Sequence, residues 1–213
     1  MRRLLFSLFV CVLTLPSVAQ AQLVRSAGFK IGTSAASQDW NYSSYGRNMD
    51  ANTLWGVDVG AFIEWFTLPV FSVSTEGHYV QKGFKVTLPL TSAQSPDGNG
   101  TFVTLFQRVA YLSLPILARC RLDIASSNIY ALAGPRVDFL LGYRDQGFGA
   151  VIKDFRSAEL GLTLGLGLET TAFDRFMIGA EFRVSPTLQD SYSSNVLQVR
   201  NRSMEILFVL RAK

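Results

Sequence analysis

Once an N-terminal leader is set aside, the 213-residue chain keeps a single cysteine, Cys120, and its one histidine is His78. That scarcity excludes an intramolecular disulfide framework and leaves no Cys/His cluster with metal-ligand spacing. Beyond the leader no stretch approaches 18 consecutive apolar residues, which excludes a membrane-spanning helix. Charge is also sparse. Lys and Arg number 20 against 16 Asp and Glu, and Arg2 and Arg3 in the leader supply half of the formal +4. So small an excess gives no basis for nucleic-acid binding.

What the chain does have begins with an address. Arg2 and Arg3 precede an apolar run from Leu4 to Val18 and an Ala19-Gln20-Ala21 motif, the three parts of a secretory signal peptide. Residues 1–21 are expected to be a cleaved leader and 22–213 one domain. Hydrophobic content of 48% with 17% charged residues is oily for a chain without a helical span. A closed β-barrel in the outer membrane of a Gram-negative bacterium reconciles the two, because its strands satisfy one another's hydrogen bonds and its outer side chains need no polar cover.

Alternation carries this reading. From Ala158 to Glu169 the even positions are Leu160, Leu162, Leu164, Leu166 and Leu168, and the odd ones are Glu, Gly or Thr. Successive strand side chains point to opposite faces, so an aliphatic row backs onto a row of glycines and charges. The same pattern predicts strands near Ala27 to Ala35, Trp55 to Phe66, Phe71 to Val86, Phe102 to Ala118, Ile129 to Tyr143, Phe155 to Glu169, Phe176 to Ser185 and Ser203 to Ala212. That is an all-β, eight-stranded antiparallel up-and-down transmembrane barrel. Its connections alternate between long loops, expected outside the cell, and short turns in the periplasm. Pro115 falls inside the fourth strand, where a bulge or a change of parity is expected.

Trp55 and Trp65 bracket one apolar face. Ten residues at about 3.3 Å each, tilted by roughly 40°, span about 25 Å, the height of an apolar band between aromatic girdles. Phe71, Phe106 and Tyr143 fall near the same rims. The opposite parity places Lys30, Asp58, Glu64, Glu76, His78, Lys82, Arg136, Asp138, Glu159, Glu169, Glu181, Arg183, Glu205 and Arg211 inside. Nearly balanced signs in so narrow a lumen predict an ion-paired plug and no wide channel. The competing architecture is a soluble lipocalin-type barrel, which would turn the leucines inward.

Several segments resemble the PorT-like family of outer-membrane barrels, related in architecture to OmpX-like proteins. They are Gly28-Phe29-Lys30-Ile31-Gly32, Glu76-Gly77-His78-Tyr79-Val80-Gln81-Lys82-Gly83, Tyr111-Leu112-Ser113-Leu114-Pro115-Ile116-Leu117 and Tyr130-Ala131-Leu132-Ala133-Gly134-Pro135. The resemblance implies the barrel fold, an outer-membrane location typical of Bacteroidetes, and a proline tolerated at 115. Some relatives are linked to protein secretion.

Chemistry is thin. Ser74, Glu76 and His78 share one face at i, i+2, i+4, with about 7 Å between neighbours along the strand and an inward direction ill-suited to a lipid A-modifying enzyme. No catalytic residue, metal site or cofactor is expected. Binding is the stronger reading, through Trp40, Tyr42 and Tyr45 with Asn41, Arg47 and Asn48 in a first loop spanning Ala36 to Leu54. Arg108, Arg200 and Arg202 fall at the outer rim, where guanidinium groups suit lipid A phosphates. Expected partners are outer-membrane lipid and lipopolysaccharide, the barrel-assembly machinery, and a surface protein, a glycan or secretion-system components. A narrow porin-like pore is the alternative function.

Overall fold

Alternating sequences become strands because one side chain in two can be buried while every backbone group pairs with a neighbour. A computed structural model describes residues 24–42, 52–65, 68, 70–90, 100–146, 156–193 and 197–212. The strands are β1 (Val24–Tyr42), β2 (Asn52–Trp65), β3 (Phe71–Pro89), β4 (Phe102–Ile124), β5 (Ser127–Gln146), β6 (Ala158–Phe173), β7 (Phe176–Pro186), the two-residue β8 (Tyr192–Ser193) and β9 (Leu197–Ala212). Each long strand pairs antiparallel with the next, and β9 returns to β1 from Ala27↔Ala212 to Tyr42↔Leu197. Eight long strands thus form a closed ring without a free edge, while β8 pairs only with Val199 and Gln198 of β9.

The leucines of β6 face outward: Leu164 is 51% and Leu166 62% exposed, whereas Glu159, Thr163 and Glu169 beside them are buried. A soluble barrel would need the reverse, so the lipocalin-type alternative fails on this strand. Trp55 is likewise exposed, and Trp65 donates Nε1–H to Thr75 Oγ1 at 2.8 Å. Phe71 is exposed and Phe106 half-buried.

The strands run further than alternation alone predicts. β1 continues past Ala35 to Tyr42, held by β9, and β2 begins at Asn52, so Trp40, Asn41 and Tyr42 of the expected loop Ala36–Leu54 belong to a strand. Tyr45, Arg47 and Asn48 lie outside the described residues, as does the leader. The turn expected from Arg119 to Asn128 contracts to Ala125 and Ser126, because β4 continues to Ile124 and β5 begins at Ser127. Likewise β6 continues to Phe173, β3 reaches Pro89 and β9 starts at Leu197, whereas β6 begins only at Ala158, later than the expected Phe155. At the end of β4 the alternation continues, with Cys120, Leu122 and Ile124 exposed on the outer face and Arg119 and Arg121 buried, so Pro115, and not a loss of period, hides this end.

Pro115 causes neither a bulge nor a change of parity. Thr75 pairs with Ile116 and His78 with Ser113, the same frame on both sides of the proline, while Glu76 and Gly77 drop out of the β3–β4 ladder and Ile116 and Leu117 out of the β4–β5 ladder. The register slips elsewhere. Ala110 pairs with Gly142 and Tyr111 with Leu140, making Leu141 the extra residue of a bulge. Tyr143 consequently lies opposite the inward-facing Val109, yet it is half-exposed and borders the outer groove beside Arg108 and Arg144.

Candidate functional site

The inward parity concentrates charge. All fourteen interior residues read from alternation are buried, and Arg119, Arg121, Tyr111, Tyr130 and Asn201 join them. The two arginines follow from unbroken parity through Pro115. The tyrosines carry no formal charge, so a search for charged residues passes over them.

At the end with the short turns, Glu64 of β2 is the hub. Its carboxylate accepts from Ser26 Oγ at 2.9 Å, Arg121 Nη2 at 2.6 Å and Arg211 Nη1 at 2.5 Å, and also from Ser72. Glu169 of β6 sits beside it, 3.2 Å from Arg119 Nη2 and 3.1 Å from Arg211 Nη2. The Arg119 guanidinium lies 3.8 Å from the centroid of the Tyr130 ring. Such stacking adds a cation–π attraction to the ion pairs.

Midway along the axis the contacts cross the lumen. Arg183 of β7 donates to Glu76 of β3 at 2.6 Å and also contacts Glu181, although β3 and β7 stand four positions apart in an eight-stranded ring. Lys30 joins the same carboxylates, 2.8 Å from Glu76 and 3.0 Å from Glu181, and Tyr130 donates its hydroxyl to Glu181 at 2.7 Å. The two ring nitrogens of His78 lie 2.6 Å from Asp58 and 2.9 Å from Glu76. The cavity bordered by Asp58, His78, Lys82, Arg136 and Arg183 measures about 10 Å³, room for one water at most.

Toward the long-loop end Lys82 meets Asp138 at 2.6 Å, and Arg136 Nε lies 3.2 Å from the same carboxylate. Asn201 of β9 reaches Tyr111 of β4 at 3.2 Å, another pair on opposite sides of the ring, and Tyr111 donates to Glu159 at 2.7 Å. Glu205 accepts from Ser185 at 2.8 Å and Ser203 at 2.6 Å.

Ser74, Glu76 and His78 are closer than their spacing along the strand suggests, because the side chains lean together. Ser74 donates to Glu76 at 3.3 Å and His78 touches the other oxygen of the same carboxylate. The sequence of contacts is serine, glutamate, histidine, so the histidine does not face the hydroxyl it would have to deprotonate. Among the described residues no group of three or more His, Cys, Asp or Glu is placed to hold a metal ion, and Cys120 is exposed on the outer face.

At the rim Arg108 Nη2 lies 3.4 Å from the Trp55 carbonyl, Arg200 is paired to Asp190 at 2.7 Å, and Arg202 stands in register with Ser37 and Pro186. Trp40 and Tyr42 pair through their backbones with Val199 and Leu197.

Among solved structures the chain is similar to Ail, the attachment invasion locus protein of Yersinia pestis, in complex with the heparin analogue sucrose octasulfate. Identity is 13%, coverage 86% of this chain and 97% of that one, and the TM-score 0.38. It is also similar to Neisserial surface protein A (14%, 89% and 99%, TM-score 0.44) and to the outer membrane protease OmpT of Escherichia coli (9%, 92% and 98%, TM-score 0.47). No curated protein matches the chain. The family model for the outer membrane protein beta-barrel domain matches residues 19–193. With its ring of eight long antiparallel strands and its outward leucines, the chain belongs to that family and is an eight-stranded barrel of the outer membrane.

Proposed function

We propose that this barrel is a plugged scaffold that holds binding residues at the cell surface, and that it neither conducts solutes nor catalyses a reaction. The observation that carries the reading is the Arg183–Glu76 contact of 2.6 Å across the ring, with Lys30, Glu181 and His78 filling the same level. Eight strands leave an interior just wide enough for side chains, and here those side chains are paired across it. Buried ion pairs are costly to open one partner at a time, so the interior works as a fixed plug.

Binding then falls to the long-loop end. Trp40 and Tyr42 lie at the end of β1, and together with Tyr45 they are residues of a type suited to a surface protein or a glycan. Within the family we read the chain as PorT-like, on Gly28 to Gly32, Glu76 to Gly83, Tyr111 to Leu117 and Tyr130 to Pro135, with residues 1–21 as its cleaved export signal. Secretion-system components are one partner class this reading admits.

Site-specific photocrosslinking in intact cells tests it. A photoreactive side chain at Tyr45 should trap a partner that one at Ser126, in the opposite turn, does not. The adduct should vanish when Trp40 and Tyr42 are both changed to Ser. Adducts at Ser126 alone, or adducts at Tyr45 that survive the double change, would refute the surface-binding role.

A further inference from the structure

We propose that the outer wall of the barrel carries a site for the phosphate group of an outer-leaflet lipid, in the groove between Arg108 of β4 and Arg144 of β5. The site is independent of the loop reading, since it lies on the lipid-facing wall.

Arg108 and Arg144 are direct cross-strand partners. Like charges placed opposite each other on one face of a sheet repel, and here they do so beside lipid, where the repulsion is poorly screened. Neither guanidinium has a carboxylate partner among the described residues, whereas Arg200 at the same end is paired to Asp190. Arg108 Nε is buried and has no hydrogen-bond partner. A phosphate bridging the two arginines would remove the repulsion and accept from that donor, and guanidinium groups suit phosphate oxygens geometrically.

The space for it is built. Ala110 and Gly142, also direct partners at the Leu141 bulge, form the floor of a groove of about 340 Å³ walled by Tyr79 and Gln81. A side chain at Gly142 would meet nothing within 4 Å, so the groove is open above that residue. Its height also fits a headgroup. Arg108 reaches the carbonyl of Trp55, the outer tryptophan of the pair that brackets the apolar band, and tryptophan marks the membrane–water interface.

The test uses refolded full-length protein in detergent, with heat-modifiable gel migration confirming the barrel in every variant. Native mass spectrometry would measure retention of bisphosphorylated lipid A, of the same lipid with its phosphates removed, and of inorganic phosphate. The wild type should retain the phosphorylated lipid and lose retention about tenfold in the Arg108→Gln/Arg144→Gln double variant, equivalent to about 1.4 kcal/mol. Gly142→Leu, which fills the groove and keeps both arginines, should lose as much, and Arg200→Gln should behave as wild type. Unchanged retention in the double variant or in Gly142→Leu would overturn the site. Equal retention of the dephosphorylated lipid would overturn phosphate recognition, and binding of inorganic phosphate as tight as that of the lipid would overturn the lipid source.

Discussion

Glu64→Ala is expected to cost the folded barrel about 3–5 kcal/mol, the range for removing one partner from a buried ion cluster. The loss is large because Glu64 serves several donors at once. Arg121 and Arg211 donate to it directly, Arg119 lies 3.8 Å away, and Ser26 and Ser72 complete its shell. Without it, Glu169 is left as the nearest carboxylate to Arg119 and Arg211, while Arg121 loses its buried partner. Glu64→Gln should cost less, since an amide oxygen still accepts from the serines. Arg200→Gln removes an exposed pair and should cost no more than about 1 kcal/mol. Urea unfolding in vesicles, followed by tryptophan fluorescence and gel migration, would rank the three. A Glu64→Ala barrel as stable as Arg200→Gln would show that the interior network does not hold the strands.

The second large effect is expected at Gly167 of the β6 stripe. Tyr130 lies directly opposite on β5, and a methyl group at residue 167 would sit 2.1 Å from Cζ of its ring. The ring covers the glycine, as aromatic side chains cover glycines in designed sheets. It has little freedom to retreat, because its hydroxyl is bound to Glu181 and its face to Arg119. Gly167→Ala is therefore expected to cost about 3 kcal/mol, the upper end of overpacking penalties, with the loss of the Tyr130–Glu181 hydrogen bond contributing. Most of that cost should disappear when Gly167→Ala is made in a Tyr130→Ala background, the sign of direct coupling in a double-mutant cycle. At Gly77 the nearest atom to an added methyl is 3.7 Å away, so Gly77→Ala should change stability little. Equal costs at 167 and 77 would mean that the tyrosine cover is incidental.

The period-2 pattern made strand number, order and facing legible, because lipid and lumen impose opposite demands on alternate side chains. Leu160 to Leu168 and Glu159 to Glu169 are enough to orient β6. Strand ends were less legible: past Ala36 the β1 residues Ser37, Gln38, Asp39 and Asn41 are polar on both parities, and from Arg119 to Ile124 the period continues but lies beyond Pro115. Pro115 drew attention as a break, yet a residue lacking only a donor leaves a local gap without moving its neighbours. The slip between β4 and β5, at Leu141, lies in an apolar run, Phe139-Leu140-Leu141, where an extra residue leaves no mark on hydrophobicity. Partnerships such as Arg183 with Glu76 depend on strand stagger around the closed ring, which local pattern does not encode. The same holds for the Arg108–Arg144 pair, whose register follows from the bulge.

Planar-bilayer recording of the purified, refolded barrel tests the central claim most directly, because the pairs that cross the ring leave a mid-lumen cavity of about 10 Å³. The proposed plug predicts no stable open-channel steps of porin size at neutral pH in either orientation. Sustained steps of porin size, abolished by an antibody to the long-loop end, would contradict it and move the function from the loops and wall into the lumen.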